Sequence, residues 1–139
     1  MSFIELDIAP VTVVDAANVT GSYTVGDQID VQHATDVDYF IQVTDNNVGA
    51  GGAITAIVVA FQVSGENNPA TANFADVLSE SSGTLSLFEL TYTPSGGISN
   101  NDTFVVNASA RGLWVRPRIK VSGGGASSTI TIKAIRRRD

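Results

Sequence analysis

The stretch LWVRPRIKVSGGGASSTITIKA, residues 113–134, decides the fold. In its first half Leu113, Val115, Pro117, Ile119 and Val121 alternate with Trp114, Arg116, Arg118 and Lys120. In its second, Ile130, Ile132 and Ala134 alternate with Thr129, Thr131 and Lys133. A period of two places apolar side chains on one face of an extended strand and polar ones on the other. The same period governs Val37, Tyr39, Ile41 and Val43, and again Thr55, Ile57, Val59, Phe61 and Val63. Gly- and Asn-rich clusters separate these runs, at 20–22, 49–52, 65–69, 94–97 and 123–125, and no segment carries helical spacing. Strands are predicted at 3–8, 11–14, 19–25, 28–32, 36–44, 53–64, 73–78, 84–93, 102–107, 111–122 and 127–136, with 68–78 the one place for a helical turn. Many short antiparallel strands without a linker predict an all-β chain, a single antiparallel β-sandwich domain of jelly-roll type over residues 1–139, with a barrel as the alternative.

Charge is segregated along the chain. All eight Lys and Arg lie between Arg111 and Asp139, while residues 1–110 hold thirteen of the fourteen carboxylates. Arg116, Arg118 and Lys120 share one face of their strand. Residues 111–139 are expected to fold as a basic hairpin about the glycine turn, bringing Lys133 onto the same face, followed by Arg136, Arg137 and Arg138. Such a basic strip has three readings. It pairs within the chain, for example with Asp36 and Asp38; it docks on carboxylates of another protein; or it binds nucleic acid with Trp114 stacking a base. The acidic bulk of the chain opposes the last. Arginine, planar and able to hold a carboxylate with two hydrogen bonds, suits docking. Pro117 cannot donate to a ladder, so its strand is expected to be an edge there or to carry a bulge.

The run AITAIVVAFQV at 53–63 is apolar on both faces. One face of an antiparallel sandwich strand is normally wet. Ile54, Ala56, Val58 and Ala60 are therefore expected to lie under a loop, under the N-terminal segment or under a second subunit, the last making them an oligomer interface. Residues 1–26, apolar and broken by turns, read as an arm exchanged with a neighbour by strand addition.

Catalytic and metal chemistry finds little purchase. The chain has no cysteine and one histidine, His33, set among polar residues, and it lacks a nucleophile elbow and a phosphate loop. Oxygen ligands for calcium exist at Asp27, Asp30, Asp36 and Asp38 and at Asp45-Asn46-Asn47, without the EF-hand pattern. No signal peptide and no long apolar stretch is present, so the expectation is a soluble protein made in a cytoplasm, with no catalytic residue, cofactor, metal, nucleic acid or membrane.

The segment AITAIVVAFQVSGENNPATANFADVLSESSGTLSLFELTYT and the closing DTFVVNASARGLWVRPRIKVSGGGASSTITIKAI resemble the small β-sandwich structural proteins of tailed bacteriophages. The likeness lies in a hydrophobic strand ending at a Ser-Gly-Asn turn, then a Thr-rich strand, alternating arginines, a glycine turn and a final Thr/Ile strand. It implies a capsid decoration or cement protein, a trimer on the virion that stabilises the major capsid protein's shell. On that reading Arg116, Arg118, Lys120, Lys133 and Arg136 to Arg138 meet the partner. The alternative expectation is a carbohydrate-binding or adhesion module of a phage fibre or tail.

Overall fold

The computed structural model describes residues 9–48, 51–70 and 73–137, and the predicted strand at 3–8 lies outside them. The alternating runs form β1 (Val11–Thr20), β2 (Thr24–Val25), β3 (Ile29–Asp30), β4 (Asp36–Asp45), β5 (Ala56–Ser64) and β6 (Ala75–Asp76). They continue as β7 (Leu78–Ser81), β8 (Thr84–Leu87), β9 (Glu89–Tyr92), β10 (Thr103–Ser109), β11 (Trp114–Ser122) and β12 (Ser127–Arg137). Sheet 1 has the order β1-β12-β4-β10 and sheet 2 the order β2-β11-β5-β6, with β3 also on β11 and β9 also on β5. All pairings are antiparallel. The protein is a single-domain all-β antiparallel sandwich.

The core lies between the sheets. Val37, Tyr39, Ile41 and Val43 of β4 and Ile130 and Ile132 of β12 are fully buried from one side, with Ile57, Val59, Val115 and Ile119 buried from the other. Tyr39 and Phe61 meet across the gap with ring centroids 5.4 Å apart. Burying each large aliphatic side chain here contributes about 1.5–3 kcal/mol.

Residues 113–134 do fold as two strands with the predicted faces, but not as a hairpin. β11 belongs to sheet 2 and β12 to sheet 1, so the glycine turn carries the chain from one sheet to the other. Three glycines are needed because this crossing is pressed against residues 51–55. Gly124 has φ +52, and a Cβ on it would lie 2.1 Å from the Ala53 carbonyl oxygen. The Gly125 N–H donates to the Gly52 carbonyl at 3.0 Å.

Pro117 sits on an interior strand, and its missing donor is accommodated by the neighbour. Its carbonyl accepts the Gly26 N–H at 2.8 Å, so its nitrogen faces the same side. There the flanking ladder is interrupted, β2 ending at Val25 and β3 starting at Ile29. Gly26 leaves room for the ring: a Cβ there would be 2.8 Å from the proline Cγ. Residues 11–20, expected as part of an exchanged arm, pair as β1 with β12 of their own chain. In the 68–78 segment the Asn73 N–H donates to the Ala70 carbonyl at 2.9 Å, closing one turn. A hairpin not foreseen, β7–β8, turns at Ser82 and Gly83, both at positive φ, and belongs to neither sheet.

Candidate functional site

Because β11 and β12 separate, the basic strip is divided between opposite faces of the sandwich. On the outer face of sheet 2, Arg116, Arg118 and Lys120 stand opposite Gln62, Ala60 and Val58 of β5. Beyond β5, Gln62 faces Asp76 and Ala60 faces Glu89. To reach these carboxylates the cationic side chains must cross β5. Arg118 does so, pairing with Asp76 at 2.8 Å, and Lys120 lies 3.5 Å from Glu89. Tyr23 closes the near side, its ring 4.2 Å from the Arg118 guanidinium and 4.6 Å from the Lys120 ammonium. The Tyr23 hydroxyl donates to Glu89, and this bond, followed by Lys120, holds the Glu89 carboxyl below the usual carboxylate range. Burial first, then Glu89, pushes the Tyr23 phenol up.

Arg116 is only 8% exposed. Its Nε donates to Gln62 at 2.8 Å and its guanidinium lies 4.1 Å above the Phe74 ring. Burial, then the neighbouring Arg118, lowers its pKa.

This arrangement explains the doubly apolar strand. Long cationic stems carry methylene groups that cover apolar surface while their heads reach polar partners. Ala60, opposite Arg118, is fully buried, and Val58, opposite Lys120, is half-buried, as is Ala56 beside them. Ile54 precedes the strand and packs into the central core at 1% exposure. Of the residues expected at an oligomer interface, Ile54 and Ala60 are thus buried within their own chain, and Ala56 and Val58 keep part of their surface exposed. Each ion pair, partly exposed, contributes about 0–1 kcal/mol, so packing is the larger effect.

On the outer face of sheet 1, Arg137 pairs with Asp38 at 3.0 Å and with Asp36 at 3.8 Å. Asn107 bridges the same two carboxylates at 2.7 and 2.8 Å. The Asn107 amide, then Thr35 and Arg137, hold Asp36 below the usual range, and Asp38 raises Arg137. The carboxylates proposed as calcium ligands are thus occupied by a guanidinium and an amide, and Asp30 and Asp45 cap the Gln32 and Asn47 N–H groups. Among the described residues no three His, Cys, Asp or Glu come together to hold a metal. Arg136 donates to the Asp30 carbonyl at 3.1 Å. Lys133 is exposed beside Phe40, making no ion pair with a described residue, and Arg138 lies outside them. His33 is exposed in a turn.

Two features escaped the sequence reading. The β7–β8 hairpin projects Leu85 at 65% exposure and Leu78 at 46%, with Phe88 just after it. At its base a cavity of about 310 Å³ opens between the sheets, lined by Phe61, Val77, Phe88, Asn107, Ser109 and Arg111 among others. The signal for the hairpin was Ser82-Gly83 between alternating residues; the cavity had none.

No protein-family model matches the chain, and no curated protein matches it. Among solved structures, the SPBc2 prophage-derived protein YomS is similar over 93% of this chain and 93% of its own, at a TM-score of 0.44 and 16% sequence identity. A likeness of that size carries no role across.

Proposed function

We propose that the protein is a non-enzymatic structural component of a virion, a decoration or cement protein that binds the major capsid protein and stabilises its shell. It would assemble in the host cytoplasm and reside on the capsid surface, as a homotrimer at threefold positions. The observation that carries this reading is the β7–β8 hairpin. It projects two exposed leucines, and a lone two-stranded hairpin is marginal in water without something to pack against. Docking it on a larger protein buries that surface and orders the hairpin together. The strand order β1-β12-β4-β10 facing β2-β11-β5-β6, in which the chain passes repeatedly between sheets, supports a jelly roll. Individually weak contacts suffice on a shell, since a repeating lattice multiplies them.

The contact we propose lies away from the basic strip. With Arg116, Arg118, Lys120, Arg136 and Arg137 engaged within the chain, the cations left for a partner among the described residues are Arg111 and Lys133. Sedimentation with empty shells of the major capsid protein tests the reading. Wild type is expected to be retained, and Leu85→Asp to stay in solution with an unchanged melting temperature. No retention of wild type, or equal retention of the variant, would sink it. The cavity favours a second reading, a carbohydrate-binding fibre or tail module, because Phe88 lies in it beside Asn107, Ser109 and Arg111. A glycan array separates the two.

A further inference from the structure

β10 is the seven-residue outer strand of sheet 1. The Ala110 N–H donates to the Thr35 carbonyl, so even-numbered residues of this register turn their backbone groups toward β4. Thr103, Val105, Asn107 and Ser109 turn theirs away, and no described strand pairs with that side. Open edges invite pairing with another chain, and folded proteins blunt them with bulges, prolines, charges or short strands. β1, the opposite edge of sheet 1, breaks its ladder twice and holds Ala16 at φ 45. The edges of sheet 2 are strands of two to four residues. β10, TFVVNAS, keeps an unbroken register with β4 and carries neither proline nor charge, with Val105 52% exposed.

We propose that β10 pairs antiparallel with β10 of a second copy, joining two four-stranded sheets across a twofold axis. Centred on Val106, this register sets Thr103 opposite Ser109 and Val105 opposite Asn107. It satisfies every outward N–H and C=O of the strand and opposes no like charges. Other registers along the strand leave outward groups of Thr103, Val105, Asn107 or Ser109 unpaired. The contact goes beyond the shell role and stands or falls without it: a twofold pairing joins two copies, whereas a threefold site gathers three.

Light scattering on the full chain at micromolar concentration tests it. Val105→Pro removes one outward N–H and leaves the bonds to β4 in place; Val105→Lys adds an edge charge with no backbone demand. The expected result is that both variants show half the wild-type mass and unfold at nearly the wild-type temperature. If the proline variant fails to fold, the lysine variant decides. A wild type that is monomeric throughout, or folded variants that keep its mass, would overturn the proposal, and either outcome leaves shell retention to be judged separately.

Discussion

On the outer face of sheet 2, Arg118 and Lys120 reach across β5 to Asp76 and Glu89, whereas along β10 four residues turn their backbone groups away from β4, where no described strand pairs with them. The first surface is rich in charge that pairs within the chain; the second has no charge and unused bonding capacity. Formal charge is thus a poor guide to where this molecule can hold a partner. A guanidinium laid over alanine and paired with a carboxylate is cover for its own sheet, while an uncharged valine strand with a straight ladder is the open contact.

Substitution at equivalent depth of chemistry separates the two surfaces most sharply. Ala60→Leu forces a larger side chain beneath Arg118 and is expected to destabilise by about 1–3 kcal/mol. Val105→Leu on β10 is expected to stay within about 0.5 kcal/mol. Thermal unfolding by circular dichroism reads both, and equal shifts would erase the contrast. Acid gives a smaller effect. The folded carboxyls of Glu89 and Asp36 are held below their unfolded values, so the native state binds fewer protons than the unfolded chain. Their stabilisation is present above the unfolded values of about 4 and is lost as pH falls through the folded ones. The melting temperature is therefore expected to drop as the pH falls below about 5, with a shallower drop in Glu89→Gln and Asp36→Asn. A wild-type slope kept in both variants would remove those pairs from the acid response. The smallest expected difference lies within the cations of sheet 1: Arg137→Ala lowers stability slightly, and exposed Lys133→Ala not measurably. Chemical denaturation resolves these, and a larger loss at Lys133 would reveal a partner for it.

Periodicity in the sequence revealed the strands, their inward faces and the sandwich, because alternation records which side of a strand is buried. It did not reveal pairing. Arg118 and Asp76 are far apart in the chain, and nothing local to either announces that β11 and β6 flank the same strand. The glycine triplet shows the limit well: as composition it reads as a hairpin turn, and only the nearness of residues 51–55 turns it into a crossing between sheets. The doubly apolar run 53–63 showed that its second face needed cover, but not that Arg118 and Lys120, opposite Ala60 and Val58, supply it. The openness of β10 depends on what does not pair with it, which no single strand encodes.

Thermal unfolding of Arg118→Glu tests the inward role of the basic strand most directly. The new carboxylate would face Asp76 in place of its cation, and the melting temperature is expected to fall by on the order of 5 °C or more, with the folded variant still retained by shells. A melting temperature equal to wild type together with lost retention would contradict it, and would return the strand to the outward docking role.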